Sequence, residues 1–100
     1  TASAEFSEYT TEQVMEYAID KVVAGVARKF KISEQDIDID DSRWGKSAFA
    51  FKIYPFRRGK QLGSYEFYGS CNYADGPKAE TFEDAKWIVD QNIDEFILNL

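Results

Sequence analysis

The sequence predicts an α+β domain in which two amphipathic helices cover one face of a three-stranded antiparallel sheet, in the order αβββα. Near both ends of the chain, apolar residues recur at three- and four-residue steps, the period of a helix with one buried face. Between these stretches, apolar and polar residues alternate, the period of a half-buried strand. The chain has 100 residues, 44% of them hydrophobic, which is enough apolar material to form one hydrophobic core. We therefore expect a single domain over residues 1–100, with 1–9 as a flexible lead.

The first helix is predicted to begin near Thr11. Thr10 stands three residues before Gln13, a spacing typical of a capping box in which each side chain satisfies a free backbone donor of the other residue. The apolar residues that follow at helical spacing are Val14, Met15, Ala18, Ile19, Val22, Val23, Val26 and Phe30. One face of this helix is therefore expected to be buried.

Three strands are predicted after a polar turn at residues 33–36. Isoleucines alternate with aspartates over residues 36–40, and two longer alternating runs cover residues 47–56 and 62–71. The segment 57–60 between the longer runs contains Gly59 and predicts a hairpin turn. Phe49, Phe51 and Ile53 should point into the core, whereas their even-numbered neighbours should point outward.

The register follows from keeping the aromatic residues on one face. A turn symmetric about Gly59 sets Ile53 opposite Tyr65 and Phe51 opposite Phe67. Lys52 then faces Glu66. Similar pairing of the first strand would set Ile39 beside Phe49 and Asp36 beside Lys52, which gives the outer face a row of alternating charge.

The second helix is predicted to follow a loop over residues 72–80. Thr81 stands three residues before Asp84, a pattern typical of a helix start. The apolar stripe predicted for this helix contains Phe82, Ala85, Ile88, Val89, Ile93, Phe96, Ile97 and Leu100.

The composition narrows the function classes. The chain has no histidine, the side chain most often used as a general acid or base near neutral pH. Cys71, the single cysteine, has a parity that predicts a small buried residue of the third strand. No apolar run reaches the roughly 18–20 residues of a membrane span, and residues 1–9 lack the features of a secretory signal. We expect a soluble, cytoplasmic protein that is not an enzyme and does not bind a membrane.

Two short motifs resemble known ligand sites but fail on inspection. Asp36, Asp38 and Asp40 have the spacing of a calcium loop, yet Asp41 stands where that loop needs glycine and Ser47 where it needs glutamate. Residues 45–47 resemble the end of a phosphate-binding loop, but a strand follows where a helix is required. No cofactor, metal ligand or catalytic residue is therefore predicted.

Charge is segregated along the chain. The net charge is −6, yet residues 46–70 contain five bases and only one acid, between two acidic segments. Within this basic segment, bases and aromatic or apolar side chains surround the predicted hairpin tip. This candidate partner-binding set contains Tyr54, Phe56, Arg57, Arg58, Lys60, Leu62 and Tyr68. Trp44 either extends the set or caps the core, and the alternative for the whole set is a solvated turn between ordinary strands.

The predicted order of one helix, three antiparallel strands and one helix resembles that of double-stranded-RNA-binding domains. That family has a glycine-proline-histidine loop between its first two strands and a lysine cluster at the start of its second helix. This chain has residues 41–45 (Asp-Ser-Arg-Trp-Gly) and 81–84 (Thr-Phe-Glu-Asp) at those places. Because acids at the second helix would repel phosphate, the resemblance implies the fold order and not the function.

Three function classes follow. The first is a non-enzymatic protein-protein interaction module, such as an adaptor, a chaperone-like subunit or a small acidic inhibitor. It would dock through the outer sheet face and the hairpin tip, and its partner would be another protein or a second copy of the chain. The second is single-stranded nucleic-acid binding by the basic, aromatic hairpin. The third is an enzyme that uses carboxylates alone.

Overall fold

A computed structural model describes residues 9–73 and 76–100 of the chain and confirms the predicted fold class. A one-turn 3-10 helix at Glu34–Asp36 links the first helix to the sheet. The helices and strands are α1 (Thr11–Phe30), β1 (Ile37–Trp44), β2 (Ala48–Arg57), β3 (Lys60–Gln61), β4 (Tyr65–Ser70) and α2 (Phe82–Leu98). Of the predicted lead, residues 1–8 lie outside the described residues, as do residues 74–75 of the predicted loop.

Both helices begin as predicted. The Thr10 hydroxyl accepts a hydrogen bond from the Gln13 backbone N–H, and the Gln13 side chain accepts one from the Thr10 N–H, so the capping box is complete. The Thr81 hydroxyl accepts a hydrogen bond from the Asp84 N–H at the start of α2. Tyr9 is held against the domain, because its hydroxyl donates to the Ala79 carbonyl.

In the sheet, β2 lies between β1 and β4 and pairs antiparallel with both. The predicted register between the two longer strands is confirmed. Ile53 lies opposite Tyr65, Phe51 opposite Phe67, and Lys52 opposite Glu66. Cross-strand partners point to the same side of a sheet, so the core face of β2 continues across β4.

The hairpin tip differs from the predicted symmetric turn. Arg58 and Gly59 both have positive φ, 53° and 78°, which defines a two-residue type I′ turn with Arg57 opposite Lys60. The predicted third strand, 62–71, is therefore split into β3 and β4. The irregular residues 62–64 add one position to the second arm, which restores the register that places Phe67 in the core.

The predicted register of β1 is wrong. Ile39 lies opposite Ile53 and not Phe49, and Asp40, rather than Asp36, lies opposite Lys52. The strand does not end at Asp40 but continues to Trp44, so β1 and β2 are joined by a short loop over residues 45–47. The pairing of β1 with β2 shifts by one residue at a bulge, which forms where Asp41 has a left-handed backbone (φ 53°).

The core lies between the helices and the inner face of the sheet. Phe51 and Ile53 have no exposed surface, and the Phe51 and Phe67 ring centroids are 5.3 Å apart. The Phe96 ring of α2 contacts Phe67 edge-on at 5.4 Å. Cys71 is fully buried, as its parity predicted. Both helices pack on this face, so the opposite face of the sheet is uncovered by any described element.

Candidate functional site

The candidate site is the outer face of the sheet, which carries the even-numbered residues of β2 and β4. Tyr68 is 66% exposed there, and Tyr54 and Phe56 are half-buried. Ala50 also points outward but is only 5% exposed, since it lies between the longer side chains of Arg43 on β1 and Tyr68 on β4. The alternation predicted that Ala50 points outward, which the structure shows, but its flanking neighbours leave it little exposed.

A row of alternating charge crosses the middle of this face. Asp40, Lys52 and Glu66 lie opposite one another on β1, β2 and β4. We call these three residues the charged row. The sequence predicted such a row with Asp36 at its first position, and the corrected register puts Asp40 there. The alternation of sign favours this pairing of the three strands.

Ion pairs and hydrogen bonds connect the charged row to its neighbours. Arg43 Nη2 lies 2.5 Å from Glu66 Oε2, and the Tyr68 hydroxyl donates to Glu66 Oε1 at 2.7 Å. The hydrogen bonds from Tyr68 and Arg43 lower the pKa of the Glu66 carboxyl. Lys52 Nζ lies 3.1 Å from Asp41 Oδ2, and this hydrogen bond raises the pKa of Lys52. The two bases on this part of the face therefore have carboxylate partners within the chain.

Beside the charged row, two exposed aromatic side chains border a small apolar cleft. Trp44 is 49% exposed and Tyr68 is 66% exposed. The cleft has a volume of about 330 Å³. We call it the Trp44–Tyr68 cleft, and it is lined by Arg43, Trp44, Gly45, Ala48, Phe49, Ala50 and Tyr68. The surface of the cleft is mainly apolar, and the two alanines in its lining, Ala48 and Ala50, leave space beside the longer side chains of Trp44 and Tyr68.

The predicted partner-binding set does not form one surface. Arg57 donates a hydrogen bond to the carbonyl of Phe30 at the end of α1, so its guanidinium serves the helix terminus. Lys60 lies opposite Arg57 and shares its side of the hairpin. Leu62 donates its backbone N–H to the Pro55 carbonyl at 2.8 Å, which places it opposite a core-facing residue instead of on the outer face.

The remaining members of the predicted set occupy three separate places. Arg58 forms the tip of the type I′ turn. Tyr54 and Phe56 lie on the outer face near this tip, whereas Tyr68 lies opposite Ala50 on the other side of the charged row. Of the predicted residues, only Tyr68 lines the Trp44–Tyr68 cleft.

Sequence reasoning missed Arg43 as a part of the site and left the role of Trp44 open. Both residues lie in β1 after the bulge, where the alternation of apolar and polar residues is interrupted by Asp41 and Ser42. A strand that continues through a bulge would have placed Arg43 beside Ala50. Asp41 gives only a weak signal for this, since aspartate tolerates a left-handed backbone better than most residues.

The basic segment is dispersed by the fold. Lys46 lies in the loop before β2, and Arg58 lies in the turn after it, so the ten-residue strand separates them by roughly 33 Å at about 3.3 Å per residue. Lys52 lies between them and is paired with Asp41. The sequence therefore contains a cluster of bases that the structure does not bring together.

The described part of the chain offers no metal-binding group of three or more histidine, cysteine, aspartate or glutamate side chains. Burial raises the pKa of the Cys71 thiol, which opposes the thiolate form that nucleophilic chemistry requires. Within residues 9–73 and 76–100, neither helix has the length and apolar character needed to cross a bilayer.

Comparisons with protein-family models, curated proteins and solved structures gave no match to this chain.

Proposed function

We propose that the chain is a non-enzymatic protein-protein interaction module whose Trp44–Tyr68 cleft receives an apolar side chain of a different protein. The observation that carries this proposal is the lining of the cleft. Tryptophan, tyrosine and arginine are the residues most enriched among those that dominate binding energy at protein interfaces, and all three meet in the cleft. The face around the cleft is uncovered, so a partner has access to it.

The chemistry of the cleft favours an uncharged anchor. Arg43 is the only charged residue among the described residues that line the cleft, and its guanidinium is already paired with Glu66. A charged partner group in the cleft would lose water without gaining a free counter-charge, which is costly. An apolar side chain that contacts Trp44 and Tyr68 in the cleft loses little and buries aromatic surface.

The hairpin tip lies at the opposite end of β2 from the cleft and is a second, basic part of the proposed interface. Among the described residues, Arg58 and Lys60 have no carboxylate within ion-pair distance. We infer that the partner presents acidic groups there, which would mainly accelerate association. The free Cys71 thiol supports a reducing compartment such as the cytoplasm.

Quantitative affinity capture with paired tryptophan variants tests the proposal. Trp44→Ala removes one wall of the cleft, whereas Trp87→Ala removes a similarly exposed tryptophan, 59% against 49%, from helix α2. We expect a partner captured by the wild-type chain to be lost with Trp44→Ala and with Tyr68→Ala but retained with Trp87→Ala. Circular dichroism would verify that each variant is folded.

Two results would contradict this assignment. A set of captured proteins unchanged by Trp44→Ala and Tyr68→Ala would show that the cleft is not the docking site. A concentration-dependent molar mass in sedimentation, abolished by Trp44→Ala, would identify the partner as a second copy of the chain. The second result would keep the interface and change its occupant.

Single-stranded nucleic-acid binding has one supporting feature, the unpaired bases Arg58 and Lys60. Two bases supply few phosphate contacts, and a net charge of −6 opposes binding. Oligonucleotide affinity measured at increasing salt discriminates between the two functions. A steep decrease with salt that Arg58→Ala reduces would favour nucleic-acid binding over the proposed interface.

A further inference from the structure

A second cavity lies where the end of β4 meets helix α2, apart from the Trp44–Tyr68 cleft. Its volume is about 410 Å³, within the range of roughly 300–1,000 Å³ that small-molecule sites usually have. We call it the Trp87 pocket, and it is lined by Ser70, Asn72, Tyr73, Trp87, Ile88, Gln91 and Asn92.

The described residues that line the pocket carry no charge. Lysine, arginine, aspartate and glutamate make up 30% of the chain, yet none of them is among these described lining residues. Three of the residues are amides, and two more carry hydroxyl groups. Side chains of these types both donate and accept hydrogen bonds. A neutral ligand with several hydrogen-bonding groups is therefore the best match to this lining.

Trp87 gives the pocket an accessible aromatic wall. Its side chain is 59% exposed although it belongs to a helix whose neighbouring residues Ile88 and Val89 are buried. The face of an indole ring carries partial negative charge, which attracts C–H groups that adjacent oxygen atoms have polarised. Such C–H groups line the flat face of a sugar ring, so a sugar can stack on Trp87 without bringing a charge.

Asn72 supplies an unmet hydrogen-bond requirement at the same place. Its Oδ1 atom is buried and has no hydrogen-bond partner among the residues that the structure describes. A buried acceptor without a donor costs roughly 1–3 kcal/mol in general, and such groups in folded proteins usually have a specific reason. Asn72 also lines the Trp87 pocket, so a rotation of its amide toward a ligand hydroxyl would supply the missing donor.

From these three observations we propose that the Trp87 pocket binds a neutral, hydroxyl-rich ring, that is, an uncharged sugar unit. The ring stacks on Trp87, a hydroxyl donates to Asn72, and the amides of Gln91 and Asn92 complete the hydrogen bonding. The site is separate from the proposed protein interface, because the two cavities share no lining residue. Either proposal stands if the other fails.

Tryptophan fluorescence in a Trp44→Phe background tests the proposal directly. The chain has two tryptophans, so this substitution leaves Trp87 as the only indole. The probes are cellobiose, maltose and N,N′-diacetylchitobiose, with glucuronate as a charged comparator. We expect at least one neutral sugar to shift the Trp87 emission in a saturable way and glucuronate to bind more weakly.

Calorimetry on single variants then assigns the contacts. Trp87→Ala should abolish binding of the responding sugar, and Asn72→Ala should weaken it by about 10-fold, as expected for one hydrogen bond to a buried group. Gln35→Ala removes an exposed amide elsewhere and should leave the affinity unchanged. No response to any neutral probe, unchanged binding by Trp87→Ala, or tighter binding of glucuronate would overturn the proposal.

Discussion

Replacement of Gly69 by alanine should destabilise the fold strongly, although the added group is a single methyl. Gly69 on β4 lies opposite Phe49 on β2, and the Phe49 ring covers it. A Cβ atom at position 69 would lie 2.2 Å from Phe49 Cζ and 2.6 Å from Cε2, well inside van der Waals contact. The phenylalanine ring must therefore move.

The Phe49 ring has little room to move. It is only 4% exposed, and its centroid lies 6.4 Å from that of Phe51 and 6.1 Å from that of Phe67. Overpacking of a well-packed core generally costs about 1–3 kcal/mol. Because the displaced ring also loses contacts with two aromatic neighbours, we expect the upper end, about 3 kcal/mol. For a domain of this size, each kcal/mol lowers Tm by roughly 4–8 °C, so the total decrease is roughly 12–24 °C.

Chemical and thermal denaturation measure this loss, and Gly45→Ala is the matched control. A Cβ at Gly45 would have no atom within 4 Å, and this glycine does not have a positive φ, so its replacement should change stability by less than about 0.5 kcal/mol. Phe49→Leu combined with Gly69→Ala should be more stable than the sum of the single effects predicts, since a smaller side chain makes room for the methyl. Equal stability of Gly69→Ala and the wild type would refute the packing argument.

Three further results are expected. Phe51→Ala should cost about 3–5 kcal/mol in urea denaturation and Tyr54→Ala under about 1 kcal/mol, because Phe51 is fully buried and Tyr54 lies on the outer face; equal losses would mean that the faces are reversed. The Cys71 thiol should react with an aromatic disulfide reagent only after denaturation, since burial covers it and raises its pKa, and rapid reaction of the native protein would contradict this. Burial and a 2.7 Å hydrogen bond to Asp90 raise the pKa of Tyr17 from 10.0 to about 12, so the contribution of Tyr17 to the free energy of unfolding should be level below pH 10 and decrease from pH 10 to about 12; Asp90→Asn should narrow that window in an ultraviolet titration.

The order of elements and the core were predictable because they depend on local patterns. The capping residues Thr10 and Thr81 marked both helix starts, and the alternation through Phe49, Phe51 and Ile53 identified the face that the helices cover. The register of β2 against β4 followed from parity, since a slip of one residue would have moved Phe67 out of the core.

The details of the two hairpins depended on single residues with unusual backbone angles. Arg58 and Asp41 both have a φ of 53°, a conformation that arginine in particular seldom adopts. At the tip, the tight turn at Arg58–Gly59 and the irregular residues 62–64 shift the pairing in opposite senses. The two shifts cancel, so the predicted register of β2 against β4 is correct although the predicted turn is not. In β1 no second irregularity cancels the shift at Asp41, so the predicted pairing of Ile39 with Phe49 is wrong and Ile39 lies opposite Ile53.

The candidate site was only partly predictable, because closeness in sequence does not decide which side of a hairpin a residue occupies. Arg57 and Arg58 are adjacent, yet Arg57 binds the carbonyl of Phe30, a residue 27 positions earlier in the chain. The sequence contains no local signal for that contact. Conversely, the Trp44–Tyr68 cleft joins residues 24 positions apart that only the corrected β1 register brings together.

The short strand β4 connects the two proposed sites. Tyr68 lines the Trp44–Tyr68 cleft and Ser70 lines the Trp87 pocket, with Gly69 between them beneath the Phe49 ring. Glycine allows that ring to lie directly on the strand, and the two residues beside Gly69 reach two different cavities. Phe49 is also one of the residues that line the cleft, so its packing in the core contributes to the shape of the cleft. The aromatic core and the proposed protein interface are therefore parts of one packing arrangement, whereas the Trp87 pocket depends mainly on how α2 meets the end of β4.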